Sequence, residues 1–266
     1  MRKNVLRELL NEGKPTLSTR MITTAPQIIE LIGLSGAFDF IELCGEYTAW
    51  TLPDLETFAR TVELFPHMTS MMKVEKGLRL FVAQRALGAG IQNILFADCD
   101  TAEEARECVR YVRPLTPEDG GLNGCGMYRN IGYLLESGSE AWVQAMRDVV
   151  VEVMIESAKA MENLDEILSV KGIDMVHFGP CDYSLTAGKA GQKGSPEVKR
   201  KQREMIEKAL RKGVRPRVII NSCEAAKEYI DMGVRDFCIG NDLNSIYSFC
   251  KSNGEKMREL MANNLT

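Results

Sequence analysis

Histidine is scarce, with only His67 and His177 in 266 residues. The eight cysteines contain no Cys-x-x-Cys pair, so no zinc-ligand spacing is present. They read instead as reduced thiols, mostly small buried hydrophobes. No apolar run approaches the ~18 residues of a membrane helix. Charge of one sign is not in excess either. The chain has 33 Lys and Arg against 37 Asp and Glu, a net charge of −4, which argues against a nucleic-acid partner. The basic trio Lys199-Arg200-Lys201 reads as a solvated helix face. No Gly-x-Gly-x-x-Gly follows the first candidate strand, so the dinucleotide fingerprint is missing. The N-terminus, Met1-Arg-Lys-Asn-Val-Leu-Arg-Glu, is too charged for a secretory leader, so a cytoplasmic protein with no membrane partner is expected.

What the chain does have is alternation. Short apolar runs at 16–22, 38–43, 68–74, 92–96, 149–155, 175–178, 217–220 and 237–240 read as strands. Helical stripes separate them, such as Leu55, Phe58, Ala59 and Val62 at i, i+3, i+4, i+7. Thr101-Ala-Glu-Glu104 is a capping box, and Ser195-Pro196-Glu197 is an N-cap followed by proline at the first helical position. One helix is expected over 158–168 and a last one over 246–260. The span 114–126 reads as a long loop, 137–146 as a small extra helix, and 185–194 as a glycine-rich loop. Eight strand–helix units behind a short N-terminal helix over 5–10 predict an α/β fold. It is a (β/α)8 TIM barrel using residues 1–266 as one domain. A doubly wound open sheet is the rival.

In such a barrel the chemistry sits just past the strand ends. The residues there are Arg20, Glu46, Tyr47, Lys73, Asp98, Glu156, Asp182, Asn221 and Asp242. Glu156 and Asp182 follow neighbouring strands, beside the turn Gly179-Pro180. Two carboxylates at one edge suit a hard divalent cation such as Mg²⁺, Mn²⁺ or Co²⁺, whose remaining ligands are water and substrate oxygens. The competing reading is that each caps the helix after it. Structural readings compete elsewhere too. Tyr47 is then an aromatic wall, Lys73 one half of an ion pair, and Arg20 a salt bridge to Glu46. Trp50 is a packing residue. His177 is structural, with Phe178 taking the inward position, and His67 lies at the barrel's bottom.

The runs Val153-Met-Ile-Glu156-Ser, Asn163-Leu-Asp-Glu-Ile, Gly172-Ile-Asp and Phe178-Gly-Pro-Cys-Asp182-Tyr-Ser resemble the HpcH/HpaI family of class II 2-oxo-acid aldolases. Phe38-Asp-Phe-Ile, Gly90-Ile-Gln-Asn-Ile-Leu and Ala225-Ala-Lys-Glu-Tyr-Ile-Asp-Met-Gly extend the likeness over nearly the whole chain. The resemblance implies that Glu156 and Asp182 hold the metal. The backbone around Gly179, Pro180, Cys181 and Asp182 then binds the carboxylate of a small 2-oxo acid. It also implies a homo-oligomer, a hexamer built as a trimer of dimers, in which the last helix (about 245–262) is exchanged between subunits.

The departures concern proton transfer. The family's Glu-His is Glu46-Tyr47 here, and the aspartate that assists that histidine aligns with Gly88. The family's strand-3 arginine is Lys73, which keeps the charge but not the bidentate fork. Its Arg-Gly loop has no match near Leu122-Asn-Gly-Cys125. Arg20 could supply the missing fork. Tyr47 could act as base if Lys73 or Arg20 lowered its pKa, with Glu46 or a water as the other candidates. The expected function is a metal-dependent lyase acting on 4-hydroxy-2-oxo acids. The alternatives are an oxaloacetate-type condensing or decarboxylating enzyme on the same site, and a barrel that binds a small acid without turnover.

Overall fold

The computed structural model describes residues 2–126 and 128–265. In chain order the elements are α1 (Val5–Asn11), β1 (Thr16–Met21), α2 (Pro26–Leu34), β2 (Phe40–Leu43), α3 (Leu52–Val62), β3 (Thr69–Val74), α4 (Arg79–Ala89), β4 (Asn93–Phe96) and α5 (Ala102–Val112). A single 3₁₀ turn (Arg129–Ile131) lies in the long loop before α6 (Glu140–Arg147). Then follow β5 (Val151–Ile155), α7 (Ala158–Glu162), α8 (Leu164–Ile167), β6 (Met175–Phe178), α9 (Pro180–Thr186), α10 (Pro196–Lys212), β7 (Arg215–Ile220), α11 (Ala226–Asp231), β8 (Asp236–Asn241) and α12 (Asp242–Asn264). Each strand pairs in parallel with the next, and β8 closes on β1, so the sheet is a complete barrel and not an open one.

Three differences from the sequence reading have local causes. The helix expected over 158–168 breaks into α7 and α8 at Asn163, which leaves helical geometry. The stretch after Gly179 forms α9, whose first position is a proline that already has a helical φ. The last helix begins at Asp242, immediately after β8, because the side chain of Asn241 caps it by accepting from Asn244 N–H.

Side chains alternate across the barrel wall. Ile41, Leu43, Met72, Val74, Ile94, Phe96, Val153, Val176, Phe178 and Val218 point outward into the main apolar core beneath the helices. Inside, Leu6 of α1 joins Phe40, Met71, Leu95, Val150, Met154 and Met175 in a smaller apolar cluster. Above it the interior turns ionic. Arg217 is fully buried and pairs with both Glu42 and Glu152, the latter at 2.9 Å. It also donates to Ser18 Oγ at 3.3 Å and lies 5.4 Å from the Phe40 ring centre.

This alternation corrects the reading of β6. Phe178 faces the outer core, and His177 is the inward residue, with Nδ1 3.0 Å from the Arg217 carbonyl oxygen. Burial and the charge of Arg217 push the His177 pKa down to about 3. The unfolded chain takes up that proton near pH 6.5, the folded one only near 3, so acidification across this window destabilises the fold. Native protein is therefore expected to lose about 2 kcal/mol relative to His177→Gln between pH 6.5 and 4.5. Urea unfolding of both proteins at the two pH values checks this, and a constant difference between them would refute it.

Candidate active site

Glu156 lies one residue beyond β5 and is only 2% exposed. Its Oε1 accepts the Asp98 backbone N–H at 2.8 Å. Its Oε2 is buried and has no hydrogen-bond partner among the described residues. Asp98 can present that N–H because it adopts φ +51°, a conformation unusual for a residue with a side chain. Lys76 and Arg79 hold it there by donating to its carbonyl at 3.2 and 2.8 Å. On the other side, Gly179 packs directly on the carboxylate. A Cβ at 179 would stand 2.6 Å from Glu156 Oε2. Burial pushes the Glu156 pKa up to about 7, against the pull of Lys73 and the Asp98 N–H.

Glu156 does not cap the helix after it, whereas Asp182 stands where an acid suits the positive end of the helix that follows. Ser157, not Glu156, caps α7 by accepting from Ala160 N–H at 2.8 Å. Asp182 sits in the first turn of α9, half-buried, and its carboxylate makes no hydrogen bond or ion pair to a described residue. Pro180 is half-buried next to it and Cys181 is exposed. Among the described residues no group of three or more His, Cys, Asp or Glu gathers as a metal cluster.

Lys73, inward on β3 and 4% exposed, forms an ion pair with Glu46. Its Nζ also lies 3.4 Å from the Tyr47 hydroxyl and 4.8 Å from the centre of that ring. Burial opposes the Lys73 charge, but Glu156, Glu46 and Tyr47 outweigh it and hold the pKa above the usual range. Tyr47 does not behave as the sequence reading required. Partial burial and Glu46 outweigh Lys73 and push its pKa up to about 12, so the hydroxyl keeps its proton. The expected Arg20–Glu46 salt bridge is not formed, because Glu46 is taken by Lys73. The Arg20 side chain makes no hydrogen bond or ion pair to a described residue, and its buried Nε is unpartnered.

The remaining expectations divide. Asp242 is structural. Its carboxylate accepts from Ile22 N–H, Thr23 N–H and Thr23 Oγ and so ties the end of β1 to α12. Asn221 is exposed. Trp50 packs on the core and donates from its indole to the Gly45 carbonyl at 2.8 Å. The position aligned with the family's aspartate, Gly88, is covered by Tyr128 from the long loop, whose ring would lie 3.2 Å from a Cβ there. Sequence reasoning missed Tyr128, because nothing local marks a loop residue that packs on a distant helix.

A cavity of about 480 Å³ opens at the opposite, N-terminal end of the barrel. Its cations are already engaged. Arg7 makes a bidentate pair with Asp174 at 2.6 and 2.7 Å, and Arg2 caps the carbonyls of Val62, Phe65 and Met68. The unpartnered polar groups Glu156 Oε2 and Arg20 Nε are at the mouth instead.

The family described as HpcH/HpaI aldolase/citrate lyase matches residues 55–248. The chain is similar to a 4-hydroxy-2-oxovalerate aldolase of Novosphingobium aromaticivorans, 27% identical over 256 residues, covering 96% of this chain and 94% of that protein. It is also similar to a 2-keto-3-deoxy-L-rhamnonate aldolase of Escherichia coli, 30% identical over 210 residues, covering 79% and 74%. Among solved structures, an HpcH/HpaI aldolase/citrate lyase family protein from Burkholderia cenocepacia superposes with a TM-score of 0.87 at 22% identity. That match covers 96% of this chain and all of the other.

Proposed function

The chain belongs to the HpcH/HpaI aldolase/citrate lyase family, and we propose that it is a metal-dependent aldolase that cleaves or forms 4-hydroxy-2-oxo acids through a pyruvate enolate. One observation carries this reading: the buried, unpartnered Oε2 of Glu156 at the mouth; Asp182, in the first turn of α9 after the next strand, is the second ligand that the family resemblance implies. Two hard carboxylates with open coordination fit Mg²⁺, Mn²⁺ or Co²⁺. A cation held there supplies Lewis-acid stabilisation of the negative charge that develops on the 2-oxo acid. Gly179, Pro180, Cys181 and Asp182 form the wall on which the substrate carboxylate rests.

Lys73 adds a fixed positive charge facing Glu156, where enolate charge develops. Its partner Glu46 is the carboxylate placed to take the proton from the 4-hydroxyl, while Tyr47 keeps its own proton and orients the pair. Tyr47→Phe is therefore expected to lower kcat by less than about tenfold, where loss of a general base lowers it by ~10²–10⁴. Steady-state kinetics decide this, and a fall beyond 10² would make Tyr47 the base after all.

The test of the function is pyruvate release from a panel of 4-hydroxy-2-oxo acids, with each of the three cations and with chelator. Release that survives chelation, or none from any substrate, sinks the proposal. A second reading, decarboxylation or condensation of an oxaloacetate-type acid, is favoured by Tyr47 and by Tyr128 covering Gly88. Pyruvate formed from oxaloacetate but from no 4-hydroxy acid would select it.

We also propose a cytoplasmic homo-oligomer, a hexamer of one-domain subunits. In α12 only Asp242 is buried, and Leu243, Ile246, Tyr247, Phe249, Met257 and Leu260 are exposed. A helix this apolar and this uncovered fits a face shared with another copy. Sedimentation velocity should give six times 29.7 kDa, and Ile246→Asp with Phe249→Asp should lower that mass. A monomeric native chain would refute it.

A further inference from the structure

We infer that Asp98 strengthens the cation site without ligating the ion: its carboxylate acts by charge, and by accepting hydrogen bonds, on the water that a divalent cation keeps. This rests on the reading that Glu156 holds that cation.

Asp98 follows β4, which lies between β3, carrying Lys73, and β5, leading to Glu156. Its backbone is committed on both sides. The N–H goes to Glu156, and the carbonyl accepts from Lys76 and Arg79. Its carboxylate is free. It is half-buried and makes no hydrogen bond or ion pair to a described residue. Lys76 and Arg79 reach the same residue, yet neither takes the side chain. Lys76 is engaged by Asp100 and Glu104 at 2.7 and 3.2 Å, and Arg79 by the carbonyls of Ala97 and Asp98.

The left-handed backbone at 98 calls for glycine or asparagine as readily as for aspartate. Conformation therefore does not account for the charge, which adds to a crowded set. Glu46 and Asp98 are like charges that act on Glu156, and Glu46 is the strongest charge acting on Asp98. Lys73 acts on all three and is itself paired with Glu46. Three carboxylates around one ammonium leave two negative charges, which a divalent cation at Glu156 balances. The open position there is the buried, unpartnered Glu156 Oε2. Direct ligation by Asp98 does not fit, since no three such groups gather among the described residues. Mg²⁺ and similar hard cations keep several waters when bound, and groups that bond to a metal's ligands tune its affinity.

The test is equilibrium binding of Mn²⁺ to the metal-free full chain at pH 8, with the free ion read by electron paramagnetic resonance. Native protein is compared with Asp98→Asn, Asp98→Gly and Glu156→Gln. Asparagine and glycine both accept the left-handed backbone and keep the N–H that Glu156 needs, but neither carries the charge. Each should weaken Mn²⁺ binding by about ten- to a hundredfold. A smaller loss in either variant, as a purely conformational role for Asp98 requires, overturns the inference. In chelator, Asp98→Asn should resist urea at least as well as native protein, because it relieves repulsion from Glu46. Lower stability, or failure to fold, would make the side chain part of the scaffold and also overturns it. If native protein binds no Mn²⁺, or Glu156→Gln binds it as native does, the reading of Glu156 falls and this inference falls with it. Binding that Glu156→Gln loses but Asp98→Asn keeps overturns this inference alone.

Discussion

Glu156→Gln should lower metal-dependent pyruvate release by about three orders of magnitude while leaving the fold intact. The substitution keeps shape and keeps an oxygen to accept the Asp98 N–H. It removes the negative charge from one of only two carboxylates proposed to hold the cation. Losing an electrostatic element of this kind lowers kcat by ~10²–10³, and weaker metal retention adds to that. Stability should move the other way. In native protein the pKa of Glu156 is pushed up to about 7 by burial. Between its unfolded value near 4.5 and about 7, the folded state binds a proton that the unfolded state does not, so the native fold loses stability as pH rises through this range. Glutamine has no such penalty. In chelator at pH 8, Glu156→Gln should be more stable than native by up to about 3 kcal/mol, and at pH 4.5 the two should be alike. Kinetics and urea unfolding together separate the outcomes. Activity within tenfold of native refutes the metal-site role, and a variant less stable than native at pH 8 refutes the account of its burial.

The second large effect lies beneath the site. Arg217→Met should destabilise the fold by about 3–5 kcal/mol at pH 8, because it leaves two carboxylates inside the barrel without their cation. Burial acts against the charge of Glu42, but Arg217 and Arg20 together hold its pKa below the usual range. Glu152 is already pushed up to about 7 by burial, with Arg217 only partly opposing it. Without Arg217 both carboxyls must protonate or remain charged and unpaired. The cost therefore grows with pH and shrinks as acid protonates them in the unfolded chain as well. At pH 5 the same substitution should cost clearly less. Replacing Glu42 and Glu152 by glutamine in the Arg217→Met background should recover most of the loss, since a buried ion cluster adds little over a neutral one of the same volume. A loss under 1 kcal/mol at pH 8, or no recovery in the triple variant, would show that the cluster does not hold the barrel interior together.

The sequence by itself determined the strand–helix alternation and therefore the barrel, because apolar periodicity is a local property and eight repeats admit few arrangements. It also placed Glu156, Asp182, Lys73, Glu46, Tyr47 and Arg20 at one end, since in a parallel barrel every strand's C-terminal edge faces the same way. Pairing among those residues was beyond its reach. Lys73, not Arg20, takes Glu46, and that choice depends on register and side-chain reach across neighbouring strands. The direction of the Tyr47 shift depends on the same arrangement, because proximity to Glu46 and partial burial outweigh Lys73 only once all three are in place. The ionic barrel interior was hidden for a different reason. Glu42, Glu152 and Arg217 lie on β2, β5 and β7, far apart in sequence, and each alone looks like an ordinary charged residue in a strand. Charges tolerated inside a core are defined by their partners, and only closure of the barrel brings those partners together.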